Sequence, residues 1–254
     1  MRDTNEQHVP LVGQRWLWLW LPLGLAILPY AVHAVRPEVY DRWIRTETGL
    51  VETLTAVFLA IAVGVGVSLL YARGAQRPRG WARATVGVLT LGCFYFLGEE
   101  ISWGQHYFHW RTPEAFAAHN EQGETNLHNL GGWTEALLDQ GPRGLLTWAA
   151  AIGGVLIPAF GVKARGGALG TWLWPTMVLL PSALLANVAS VPQKIAKAFG
   201  EVPFLLDIRG GESKELFLAM LLMLYLVTLR ARRAELAGPS FVGAAPPAPG
   251  SSAR

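Results

Sequence analysis

Two adjacent glutamates, Glu99 and Glu100, stand at the end of an apolar run that otherwise has the composition of a membrane span. An unpaired charge in the hydrocarbon costs about 2.5–3.5 kcal/mol on insertion scales. The C-terminal end of a helix adds to that cost, because its dipole disfavours negative charge. The placement therefore needs compensation from a cation, a proton, or donors on neighbouring helices. Adjacent helical residues point about 100° apart, so Glu99 and Glu100 cannot simply share one proton between themselves. Glu99 shares a face with Ser102 and Trp103, and Glu100 lies nearer Gly104. Carboxyl groups held this way can serve as general acids or bases, as metal ligands, or as carriers of a coupling proton.

The chain then continues WGQHYFHWRTPEAFAAHNEQGETNLHNLGGW, from Trp103 to Trp133. Four of the six histidines fall here: His106, His109, His119 and His128. No base occurs between Arg111 and Arg143, which points to a segment apposed to the membrane with its polar groups aimed inward. If Gln122 to Asn129 is helical, Glu124 and His128 are four apart and share a face, with Asn126 and Asn129 on an adjoining stripe. The candidate catalytic residues are Glu99, Glu100, Gln105, Glu124 and His128. Carboxylates with imidazole suit Zn, Mn or Fe, so a divalent metal such as Zn is the cofactor these groups could hold, through Glu100, Glu124 and His128. His106 and His109 are three apart, unlike the paired histidines of an H-E-x-x-H site. His128 is the better ligand because Glu124 and the amides could orient it. Thr112-Pro113-Glu114 has the order of N-cap, first helical position and acid, and predicts a short helix there.

These groups must be positioned by the apolar segments around them. Of the 254 residues, 52% are hydrophobic and 15% charged, with eleven tryptophans and a mean hydropathy of +0.29; soluble domains carry about 25% charged residues. The composition predicts an all-α, polytopic transmembrane helical bundle with the lipid bilayer as its solvent. Six segments approach the roughly 20 residues a span requires: about Trp16 to Val35, Leu50 to Tyr71, Ala84 to Trp103, Leu145 to Val162, Trp172 to Val191 and Glu212 to Ala231. Pro175 and Pro181 should kink the fifth. The first is too long for a signal-peptide core and contains Pro22 and Pro29, so it is read as a retained anchor. The bundle fills 1–237 as one domain, and the Pro/Gly/Ala/Ser-rich tail 238–254 is expected to be disordered. Cys93 lies inside an apolar run, as a core residue would. The net charge is only +3, and the bases are scattered, which leaves no nucleic-acid footprint.

Six spans put twelve of the 21 Lys and Arg residues on the side of the termini and nine on the other. The turn from Arg73 to Arg83 holds four arginines and no acid. Both termini are therefore expected in the cytoplasm. That orientation gathers the acids on the outer face: Glu47 and Glu52, Glu99 and Glu100, Glu124, Asp207, and Glu212 and Glu215. Glu47, Glu52, Glu212 and Glu215 also sit at helix N-termini, where the dipole alone favours a carboxylate. Trp16, Trp18 and Trp20 suit one interface, and Trp103, Trp110 and Trp133 the other. Ala60/Gly64 and Ala150/Gly154 have the spacing of close helix contacts. His33 in the first segment is expected to be hydrogen-bonded or interfacial.

GEEISWGQ and QGETNLHNL, within Gly98 to Leu130, resemble the signature of an uncharacterised family of bacterial multi-pass membrane proteins. Glu99, Glu100, Trp103, Gln105, Gln122, Glu124, Asn126, His128 and Asn129 carry that likeness, which implies a multi-pass fold in a bacterial inner membrane and no particular reaction. Glu99-Glu100 also resembles, in part, the paired glutamates of CAAX-type membrane proteases. That family's motif has an arginine where this chain has Gly104, and histidines on later helices that this chain lacks.

Three kinds of function fit these residues. One is a membrane-embedded enzyme acting on a lipid-linked or envelope substrate from the outer face. The second is a transporter in which the glutamates bind a coupling proton or cation, with Asn187 and Ser190 as its path-lining candidates. The third is an assembly protein whose polar cluster only locks helices. The sequence leaves the reaction and the oligomeric state open.

Overall fold

The computed structural model describes residues 11–46, 48–74, 77–118, 120, 123–127, 136–164, 167–200 and 202–237. These form helices, with no strand among the described residues. Four stretches are long and apolar enough to cross a membrane: Trp16–Val35, Leu50–Leu70, Gly80–Glu100 and the interrupted Gly167–Ala198. This is the build of a membrane protein.

Helix α1 (Trp16–Val35) opens with a π-helical turn and carries Pro29 inside it. The short α2 (Pro37–Trp43) follows. Its Tyr40 is buried, and the His33 ring is sandwiched between Tyr40 and Phe204, with His33 Nε2 2.9 Å from the Phe204 carbonyl. Helices α3 (Leu50–Leu70) and α4 (Gly80–Glu100) pack along each other. Gly66 permits this, since a Cβ there would run into the Thr90 side chain. Ala60 and Gly64 instead face outward, and a Cβ on Gly64 would meet nothing. The other small-residue pair does make a contact: Ala150 and Gly154 lie against α9, with Ala183 beside Gly154.

The one-turn helices α5 (Gln105–Phe108) and α6 (Glu114–Ala117) lie in the connection after α4. The expected short helix is thus present, but Pro113 occupies the N-cap. Thr112 donates to the Gly123 carbonyl, at 2.6 Å. Helix α7 (Gly141–Ala149) continues through a π-helical stretch, Ala150–Leu156, to Ala159.

The fifth apolar segment is more broken than a kink. It comprises α8 (Gly167–Leu173), a non-helical step at 174–176, a single turn Met177–Leu179, α9 (Leu180–Val188) and α10 (Val191–Ala198). Pro175 lies in the first interruption, and Pro181 opens α9 in the first turn, where a missing N–H costs nothing. Helix α11 (Gly210–Ala231) is the centre of the bundle. Every residue from Leu216 to Leu224 is buried, as expected for a helix apolar all round. It packs on α3 and α9. Helix α11 is not among the four long apolar stretches, and it carries Glu212, Lys214, Glu215 and Arg230.

The third apolar segment ends earlier than its composition predicts. Helix α4 stops at Glu100, and Ser102, Trp103 and Gly104 follow with φ of 45°, 54° and 99°. Three successive left-handed residues reverse the chain, at a steric cost for the two that are not glycine. Helicity at 122–129 is also not found where it can be seen, because 123–127 follow a bent, non-helical path. Glu47, the His106 side chain, His119, Gln122, His128, Asn129, Trp133 and the tail 238–254 lie outside the described residues.

Candidate functional site

The left-handed turn after α4 builds one wall of the site. It folds the Trp103 ring back over Gly98, where a Cβ would approach the ring to 2.8 Å. From there Trp103 Nε1 donates to Glu99 Oε1 at 2.7 Å, and the Leu127 backbone N–H donates to Glu99 Oε2 at 2.7 Å. Both oxygens of this buried carboxylate thus accept a hydrogen bond. The shared face of Glu99 and Trp103 expected from the sequence is therefore used, although the helix ends between them.

Glu124 is held similarly. Its Oε2 accepts from the Ser102 hydroxyl and from Asn126 Nδ2, the latter at 2.7 Å. Asn126 Nδ2 also reaches the Ser102 hydroxyl oxygen at 3.1 Å. Asn120 Nδ2 donates to Asn126 O and Oδ1, both at 2.9 Å, and Asn120 Oδ1 accepts from the Glu124 N–H at 3.1 Å. Ser102, Asn120 and Asn126 are all buried. The sequence reading did not single out Asn120, and it noted Ser102 only as a neighbour of Glu99.

Glu99, Glu100 and Glu124 line a polar cavity of about 350 Å³ together with Glu52, Glu212 and Glu215. The carboxyls come from the N-terminal ends of α3 and α11, the C-terminal end of α4 and the following connection. Of the acids expected on one face these six converge, while Asp207 pairs with Arg45 outside the cavity and Glu47 lies outside the described residues. Two of the N-terminal glutamates form ion pairs: Glu215 with Arg143 at the start of α7, and Glu212 with Arg209 at 2.5 Å. No sequence signal pairs Arg143 with Glu215.

Glu52 and Glu100 behave differently. Their side chains lie within hydrogen-bond reach of each other on the cavity wall, with Glu215 and Arg143 close enough to act on Glu100 electrostatically. An ionised carboxylate only accepts, so a hydrogen bond between two carboxyl groups requires a proton between them. Glu100 thus finds its partner on the neighbouring helix rather than in Glu99. Glu52, at an N-terminal position that alone would explain an acid, is its second half.

Gln105 does not line the cavity. Its Oε1 accepts from the Thr125 N–H at 2.8 Å and the Thr125 hydroxyl at 2.5 Å, and its Nε2 donates to Thr112 Oγ1 at 2.9 Å. Gln105 therefore ties the connection together. His109 is exposed and left-handed. Among the described residues, no group of three or more His, Cys, Asp or Glu is arranged to hold a metal ion. Of the expected metal set, Glu100 and Glu124 share the cavity and His128 lies outside the described residues. Asn187, one of the path-lining candidates, bonds back to its own helix, Nδ2 to the Ala183 carbonyl at 2.8 Å, and Ser190 is buried.

No family model matches this chain, and neither a curated protein nor a solved structure does.

Proposed function

We propose that this chain is a multi-pass protein of the bacterial inner membrane with about six spans and cytoplasmic termini. We further propose that it is an enzyme whose outward-facing glutamate cavity performs acid–base chemistry on a lipid or envelope substrate. The observation that carries this reading is the pairing of Glu52 and Glu100, two carboxyls within reach of each other on the wall of that cavity. A pair holding one proton presents a carboxylate able to accept a proton beside a carboxylic acid able to donate one, the two roles general acid–base catalysis needs. Glu99 and Glu124, each fixed by two donors, are the charged groups that orient a substrate and set the field. The position supports the reading too, because the cavity sits where several apolar helices end and a membrane-bound substrate meets water. The transporter reading has less behind it, since the middle of α11 is apolar throughout and Asn187 is turned onto its own helix.

The test is a lipid and envelope profile of a deletion strain complemented with wild type or with Glu100→Gln at matched protein levels. The expected result is that Glu100→Gln reproduces the altered profile of the deletion. A wild-type profile restored by Glu100→Gln overturns the reading.

A further inference from the structure

Beside the glutamate cavity lies a space of opposite character. A cleft of about 410 Å³ runs between α4 and α7, with α11 behind it. Helix α4 packs on α3, and the π-helical continuation of α7 packs on α9 and α11, so α4 and α7 face each other without close packing. Val88, Leu89, Phe96, Leu145, Leu146 and Leu222 give the cleft a hydrocarbon lining. Val88 and Leu145 are 70% and 75% exposed, so the seam opens sideways, toward the hydrocarbon of a bilayer.

The cleft and the cavity adjoin. Glu99 and Arg143 belong to the walls of both. From Glu99 to Val88 is eleven residues of helix, about 16 Å, which is close to one leaflet of a hydrocarbon core about 30 Å thick. At its inner end the cleft shares Leu89, Leu146, Ala149 and Leu222 with a second apolar cavity of about 210 Å³. A path of leaflet depth, apolar below and charged at its mouth, has the dimensions and polarity of one lipid chain with its head.

The charge at the mouth narrows the head group. Six carboxyls face only three bases, Arg143, Lys197 and Arg209, so the mouth is acidic. That field favours an ammonium group and opposes a purely anionic head. Lys197 has no ion-pair partner among the described residues and supplies a cation for a phosphate.

We propose that the cleft between α4 and α7 holds one hydrocarbon chain of an aminophospholipid, whose phosphate lies toward Lys197 and whose amine lies among the cavity glutamates beside Glu100. The assignment rests on the reading of the cavity as the reactive site, and names its substrate class.

Gly92 offers a clean test. It lines the cleft, and a Cβ there meets nothing within 4 Å, so a large side chain can fill the cleft without displacing its neighbours. Gly87 is equally open but is not part of the cleft, and serves as the control. The full chain is reconstituted in vesicles containing phosphatidylethanolamine with a photoactivatable acyl chain, irradiated, and mapped by peptide mass spectrometry. Labelling is expected to concentrate on α4 and α7, to fall at least fivefold in Gly92→Phe and to persist in Gly87→Phe, with both variants keeping a cooperative melting curve. Unlabelled phosphatidylethanolamine should compete more strongly than phosphatidylglycerol. Labelling spread evenly over α1, α3 and α4, or unchanged by Gly92→Phe, overturns the chain site. Equal competition by phosphatidylglycerol overturns the amine assignment. Glu100→Gln leaves the cleft intact and should still be labelled. Site-specific labelling alongside an unchanged lipid profile in that variant would therefore refute the enzyme reading and leave the lipid site standing.

Discussion

Arg232 and Glu100 lie at opposite ends of the bundle, each an ionisable group where a long apolar helix ends, Arg232 buried and Glu100 on the cavity wall. Around Arg232 every partner is fixed. Its Nε donates to both oxygens of Glu235 at 3.0 and 3.1 Å, and its other nitrogens donate to the Trp174 and Thr171 carbonyls at 3.0 and 2.5 Å. Those carbonyls lie where α8 gives way to the break at 174–176, so the guanidinium ties that step to the end of α11. Nearby, Trp172 donates to the Leu229 carbonyl and Tyr225 to the Leu173 carbonyl. The polar groups at this end hold interrupted helices together. Around Glu100 the arrangement has a cavity in its middle, more acids than bases, and two carboxyls, Glu52 and Glu100, within reach of each other. A closed set of partners locks a structure, whereas an open cavity with a transferable proton can act on something that enters it.

This contrast predicts that the two ends respond oppositely to mutation. The largest stability loss is expected from Arg232→Ala, which leaves Glu235 and two carbonyls unpaired. The cost should be about 3 kcal/mol, or roughly 10 °C in Tm, measured by thermal melting in mild detergent. A Tm within two degrees of wild type would show that the lock carries little. A smaller loss, of about 1–2 kcal/mol, is expected for Gly98→Ala, because the added Cβ pushes against the Trp103 ring. The Trp103–Glu99 bond should weaken with it, read as a shift in tryptophan fluorescence. If fluorescence and Tm both stay unchanged, the turn is not what holds Glu99.

Much of this contrast could be read from the chain, though not its decisive part. Runs of about 20 apolar residues located α1 and α3 nearly to the residue, because span length is set by the bilayer and by helical rise. The acids at the ends of those runs foretold their convergence, since alternating spans bring alternate loops to one face. Pairings between helices were not legible. Nothing local to Glu52 distinguishes an N-terminal acid from half of a proton-sharing pair, and nothing local to Arg143 announces Glu215. The turn at Ser102–Gly104 was missed because neither serine nor tryptophan favours the left-handed region. Its only sequence signals are Gly98 and Gly104, which leave room for the Trp103 and Trp110 rings. The hydrogen bonds that Asn120 and Asn126 make around Glu124 follow from that reversal, and could not be drawn without it.

The proposed acid–base site requires one proton shared between Glu52 and Glu100. It is tested most directly by infrared difference spectroscopy of the detergent-purified protein at neutral pH, read at the carbonyl stretch of a protonated carboxyl. Glu100→Gln keeps the shape of the pair, since the amide can donate to Glu52, so its Tm should stay within a few degrees of wild type and make the comparison fair. The account predicts a protonated-carboxyl band in wild type that disappears in both Glu52→Gln and Glu100→Gln and survives in Glu99→Gln. Absence of the band from the wild type, or its loss only in Glu99→Gln, would contradict it.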